Sequence, residues 1–180
     1  MTVADGTMVV TGDVALISFE RRLRHPVERV WAALADPGER SAWLGPGTME
    51  PHIGGAVSIH TGPQDQPVMH RAMTGRVLAW DPPHVLEHEW VQPGLAVSGV
   101  RYELEPDADG TVLRLTHRRS VAAGIGGRAG WHAYLDRLGA YLGGMPVPPW
   151  GARRAEVQEL YGEAPLPGAS PIQQQEKQER

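Results

Sequence analysis

A chain of 180 residues with 41% hydrophobic and 21% charged residues predicts one globular domain, large enough to bury about 70% of the surface its unfolded chain would expose. The absence of cysteine excludes disulfides, thiolate nucleophiles and cysteine-based metal sites. A net charge of −4 gives no ground for nucleic-acid or membrane-surface binding, and no run approaches the ~18 apolar residues of a membrane span.

In chain order, residues 1–13 read as a flexible N-terminus, and a first strand is expected over Val14–Leu23, with Ala15, Ile17 and Phe19 on one parity. His25–Pro46 reads as a short amphipathic helix, a Pro/Gly break and a second turn presenting Trp43. Val27, Val30, Trp31 and Leu34 recur at i, i+3, i+4 and i+7, one face of a helix, and Pro26 suits a helix start. Thr48–Ile53 and Ala56–Thr61 read as short strands, 62–67 as a loop, and Met69–Trp80 as a longer strand in which Gly75 marks a candidate bulge.

Three cleaner strands follow. Leu86, His88 and Trp90 oppose Glu87 and Glu89; Val100, Tyr102 and Leu104 oppose Arg101, Glu103 and Glu105; Leu113, Leu115 and His117 oppose Arg114, Thr116 and Arg118. Period-2 patterning this regular predicts an antiparallel sheet with one covered face, and Asp109-Gly110 supplies a hairpin turn. After a glycine-rich bend at 124–130, Trp131, Leu135, Leu138 and Leu142 give i, i+4, i+7 and i+11, flanked by Tyr134 and Tyr141, the stripe of a long helix that would cover the sheet. Residues 146–162 read as a helical extension and 163–180, rich in Pro, Gln, Glu and Lys, as a disordered tail.

Few motifs carry chemistry. Gly124-Ile-Gly126-Gly-Arg-Ala129 matches a dinucleotide-loop pattern, but an antiparallel strand precedes it and no parallel strand follows, so it reads as the approach to a helix whose free N-terminus could hold an anion. No histidine pair has metal-ligand spacing, and the expectation is no metal and no cofactor. His88 and His117 share parity with apolar residues, so each is either a polar contact or general base facing a ligand, or a hydrogen-bonded histidine at the core edge. Arg21 shares the parity of Ile17 and Phe19 and should be half-buried, either in a structural ion pair with an acid, the favoured reading, or against a ligand carboxylate. Glu87, Glu89, Glu103 and Glu105 fall on the solvent parity. Six tryptophans against one phenylalanine suit either a core or the wall of a partly polar cavity.

The runs Pro26–Pro46, Val77–Trp90, Gly110–Arg118 and Gly130–Leu142 resemble, in this order, the START-like (SRPBCC) superfamily, within it the branch named for the activator of heat-shock protein 90 ATPase. The resemblance implies an α+β helix-grip fold of the Bet v-like type over 14–145, with a curved antiparallel sheet of about six to seven strands wrapped around a long C-terminal helix. It further implies a small protein that binds an apolar or aromatic molecule between sheet and helix; with no membrane span and no charged, apolar leader pattern, the expected location is the cytoplasm. Trp43, His88, Trp90, Tyr102, His117, Trp131 and Tyr134 are the residues expected to line that site, with Trp43 at its mouth. Two rival readings are a cyclase or dehydratase on polyketide-like substrates using His88 or His117, and a chaperone-related or regulatory protein whose partner is another protein or a second copy of the chain.

Overall fold

The computed structural model describes residues 5–62, 72–121 and 127–163. One antiparallel sheet of eight strands carries the domain. They are β1 (Thr7–Thr11), β2 (Val14–Leu23), β3 (Gly47–Met49), β4 (Ala56–His60), β5 (Ala72–Asp81), β6 (Val85–Trp90), β7 (Ser98–Asp107) and β8 (Gly110–Ser120), in the spatial order β1-β2-β8-β7-β6-β5-β4-β3. Helices α1 (Val27–Ala35) and α2 (Pro37–Trp43) lie between β2 and β3. The long helix α3 (Arg128–Leu142) follows β8, and α4 (Trp150–Val157) runs into a 3₁₀ turn, Gln158–Tyr161.

The period-2 residues pair as cross-strand rows. Phe19, Leu115, Tyr102 and Leu86 stand side by side on β2, β8, β7 and β6, and the next row is Ile17, His117, Val100 and His88. All eight are buried. The stripe predicted on α3 covers this face: Trp131, Leu135, Leu138 and Leu142 are buried together with Tyr134, and Tyr141 packs at the margin. A sheet with one apolar face and a helix with one apolar stripe bury each other, and the helix-grip arrangement follows. On the opposite sheet face Arg101 pairs with Glu87 and Glu103, and Arg114 with Glu20 and Glu105, so those glutamates are solvated partners of arginines as their parity predicted.

The order of elements agrees with the expected one, with four differences. Thr7–Thr11, inside the segment expected to be flexible, forms β1 against β2 and raises the strand count to eight; most of its residues are exposed, so no burial pattern marks it. The strand expected over Thr48–Ile53 is only Gly47–Met49. The irregularity expected at Gly75 falls between Val77 and Ala79. Gly75 answers instead to a close approach: a Cβ there would lie 2.6 Å from the Glu89 carbonyl oxygen. Finally, Trp31 is half-buried, meeting Trp80 edge-on at 5.2 Å, while Ala33 takes a place in the core beside Val30 and Leu34. Met69–Arg71 of the expected strand, 63–67 of the expected loop, 124–126 of the expected bend and 164–180 of the expected tail lie outside the described residues.

Arg21 is half-buried beside acids, as its parity required. Its Nη1 donates to Asp136 Oδ1 at 2.8 Å, and Arg153 Nε donates to Asp136 Oδ2 at 2.7 Å, joining β2, α3 and α4. Burial alone would raise the Asp136 carboxyl, but hydrogen bonds from His132, Arg153 and Arg21 outweigh it and hold the group well below the usual carboxylate range.

Candidate functional site

The register of β6, β7 and β8 brings six of the seven predicted site residues into one cluster beneath α3. Trp131 is its centre: its ring lies 5.1 Å from Trp90, 5.9 Å from His117, 6.2 Å from Tyr102 and 5.7 Å from Tyr134. His88 stacks on Trp90 at 6.2 Å and lies 6.0 Å from Tyr102. Period 2 puts His88 and Trp90 on one face of β6, Trp90 meets His117 of β8 at 5.8 Å, and the facing helix lays Trp131 against both Trp90 and His117.

The polar tips in this cluster are arranged as a directed chain. Trp131 Nε1–H donates to His117 Nδ1 at 2.9 Å, so that nitrogen is unprotonated. His117 Nε2 therefore carries the proton and donates to Ser98 Oγ at 2.8 Å, and the Ser98 hydroxyl donates to the Trp90 carbonyl oxygen at 2.8 Å. Burial, reinforced by the charge of Arg119, pushes the His117 imidazole down to about 3, so it is neutral near pH 7 with both nitrogens occupied. A general base at this position would have to break the bond to Trp131 first. His88 is likewise neutral, pushed down to about 4 by burial against the opposing hydrogen bond to Glu89. Its Nδ1–H donates to the Glu89 carbonyl oxygen at 2.8 Å, which leaves Nε2 as an acceptor. Tyr134 Oη accepts from the Gly62 N–H at 2.6 Å, and its ring stacks on Trp150 at 5.3 Å.

Trp43 does not join the cluster. It is 0% exposed, and its indole N–H donates to the Ala33 carbonyl oxygen at 2.8 Å, tying α2 to α1. The expectation that Trp43 reaches a cavity mouth is corrected: α2 turns the ring inward, and the backbone acceptor on α1 fixes it in the core. Arg137 of α3 donates to the carbonyls of Trp43 (2.7 Å) and Ala42 (3.1 Å), capping the same short helix.

Beside the cluster lies a residue that sequence reasoning passed over. Arg40 of α2 is 1% exposed. Its guanidinium reaches the carbonyls of Leu34, Ala35 and Gly47 at 3.3–3.4 Å, while Nε has no hydrogen-bond partner. Tyr102, 2% exposed, has a hydroxyl without a partner as well. Burial raises the phenol strongly against the opposing charge of Arg40, so Tyr102 is a neutral O–H donor. Nothing in the local pattern marks Arg40 as interior; three residues before Trp43, it shares one side of a single helical turn with it, and that spacing is the one signal available.

The helix N-terminus proposed as an anion site already has an anion. Glu163, expected to open a disordered tail, accepts from the backbone N–H groups of Gly127, Arg128 and Ala129 at 3.2, 2.9 and 3.3 Å, and its side chain is 4% exposed. Among the described residues no cluster of His, Asp and Glu could hold a metal, and no helix is long and apolar enough to cross a membrane. Among the described residues, concavities open on both faces of the sheet. A groove of about 460 Å³ runs over the outer face past Leu16, Leu78, Val97 and the paired Arg101. A crevice of about 10 Å³, bounded by Gln92, Leu95, Ala96 and Arg119, reaches Trp90 and His117.

The sequence profile of the Activator of Hsp90 ATPase homolog 1-like protein family matches residues 24–143. Among solved structures, the protein encoded by gene BPP1335 of Bordetella parapertussis is 30% identical, with a TM-score of 0.67 over 90% of this chain and 92% of that one. CalU16 of Micromonospora echinospora is 27% identical, with a TM-score of 0.65 over 88% and 92%. A Rhodobacter sphaeroides protein is 26% identical, with a TM-score of 0.60 over 77% and 95%. No curated protein matches the chain.

Proposed function

Because the chain belongs to the family of Activator of Hsp90 ATPase homolog 1-like proteins, we propose that it binds an apolar or aromatic small molecule between the sheet and α3, against Trp90, Tyr102, Trp131 and Tyr134, with His88 and His117 at the polar edge of the site. The observation that carries this reading is the ring cluster: rings from β6, β7, β8 and α3 meet in one buried patch under the helix. Such rings offer a ligand large apolar area and quadrupolar faces for stacking, with few polar atoms to desolvate. The rings touch one another, so a ligand must part them. The crevice at Trp90 and His117 is the natural point of access, since the β6–β7 connection over it, Gln92–Val97, includes the exposed Leu95 and Val97.

Titration of tryptophan fluorescence with neutral aromatic and long-chain aliphatic compounds tests the proposal. Saturable quenching that is lost in Trp90→Ala, with a rise in Tm on saturation, is the expected result. If no compound class alters fluorescence or Tm, the proposal fails.

A further inference from the structure

Burying a cation without a counter-charge is strongly unfavourable, as is burying a hydroxyl without a partner. This protein does both in its interior. Arg40 and Tyr102 are almost wholly inaccessible, and Nε of the first and Oη of the second are donors with nothing to accept from them. Tyr102 on β7 and His88 on β6 lie side by side, ring centroids 6.0 Å apart, and the Arg40 charge acts on both. No described carboxylate pairs with Arg40. Asp36 acts on it without forming an ion pair, and its Oδ1 is engaged as the N-cap of α2, accepting from the Glu39 N–H at 2.9 Å. The three carbonyls that Arg40 touches lie at the outer limit of hydrogen bonding and carry no net charge.

We propose that Arg40 and Tyr102 form an acid-recognition point at the inner end of the ligand site, so that the ligand is an aromatic or apolar carboxylic acid whose carboxylate accepts from Arg40 Nε–H and Tyr102 Oη–H. This rests on the preceding reading that the ring cluster takes up the ligand's apolar body. The carboxylate supplies both a counter-charge for the guanidinium and an acceptor for the phenol. A charge-assisted hydrogen bond at a site closed to water is stronger than the same bond in solvent. His88 presents only an acceptor at Nε2, so it favours a bound acid whose other polar group is a hydroxyl or an amide N–H.

Calorimetric titration with 2-naphthoate and with 2-naphthamide, its uncharged counterpart, separates this inference from the reading beneath it. The wild type should bind the acid at least about tenfold more tightly, equivalent to about 1.4 kcal/mol. Arg40→Gln should abolish that preference while the amide still binds. Tyr102→Phe should reduce the preference several-fold and leave the unliganded Tm unchanged or higher, because it removes an unpaired buried hydroxyl; this variant carries the test if Arg40→Gln does not fold. Equal binding of acid and amide by the wild type, or a preference untouched by Tyr102→Phe, overturns acid recognition and leaves the apolar site standing. If neither compound binds while a neutral compound of the fluorescence titration does, acid recognition falls and the apolar site stands; if nothing in that titration binds either, both readings fall.

Discussion

The His117 chain and the Arg40–Tyr102 corner sit in the same interior and treat polar groups in opposite ways. Along the chain from Trp131 to Trp90 every donor meets an acceptor in one direction. In the corner, a guanidinium nitrogen and a phenol are buried without partners. A fully satisfied network stabilises one arrangement of the core and resists change. Unsatisfied groups do the reverse: they weaken the unliganded fold and gain most from an incoming acceptor. The contrast separates a strut from a site, although each joins an aromatic and a basic side chain from the sheet and a helix.

The strongest way to break the strut is to remove its centre. Trp131→Ala should destabilise by about 3–5 kcal/mol through the cavity it leaves. Trp131→Phe keeps most of the volume and should still cost about 1–3 kcal/mol, because His117 Nδ1 loses its donor; denaturant unfolding of the pair separates packing from hydrogen bonding. If Trp131→Phe is as stable as the wild type, the Trp131–His117 bond contributes nothing and the strut is packing alone.

A second test uses pH. His117 and His88 have folded values of about 3 and about 4, below the unfolded value near 6.5. Under these conditions the unfolded chain binds more protons than the folded one. Their contribution is fully present above pH 6.5 and declines as pH falls toward the folded values, at about 1.4 kcal/mol per pH unit for each histidine. Between pH 6.5 and 5 the loss should be roughly 1.5 kcal/mol per histidine, read from urea midpoints, and His117→Asn should flatten the slope. A stability independent of pH over that window would show that the imidazoles are not held neutral.

The smallest expected effect concerns the other satisfied group, Glu163. Glu163→Ala leaves three backbone N–H groups at the start of α3 without their acceptor and should cost about 1 kcal/mol in thermal unfolding. Glu163→Gln should recover part of that, since an amide oxygen still accepts. An unchanged Tm in both variants would place this residue with the solvated surface rather than with the strut.

Much of the fold is legible in the chain because it rests on periodicity. The alternation around Leu86, Tyr102 and Leu115, and the stripe from Trp131 to Leu142, each name a face, and two apolar faces can be buried only against each other. Parity also placed His88 and His117 inward, and it placed the glutamates of β6 and β7 outward with their arginines. β1 escaped because an exposed edge strand has no burial pattern to display, and its pairing is supplied by β2. Glu163 escaped because its partners lie about 35 residues away, a distance no local pattern spans.

The amino-acid sequence by itself determined which faces are apolar, where helices and strands alternate, and therefore the helix-grip architecture, since those properties belong to neighbouring residues. Only the tertiary structure decided the fate of individual polar atoms: that Trp43 bonds to Ala33 and stays in the core, that His117 is locked between Trp131 and Ser98, and that Arg40 is sealed in with its Nε unpartnered. Whether a donor finds an acceptor depends on atoms brought together from distant segments, and a local pattern of hydrophobicity carries no information about that.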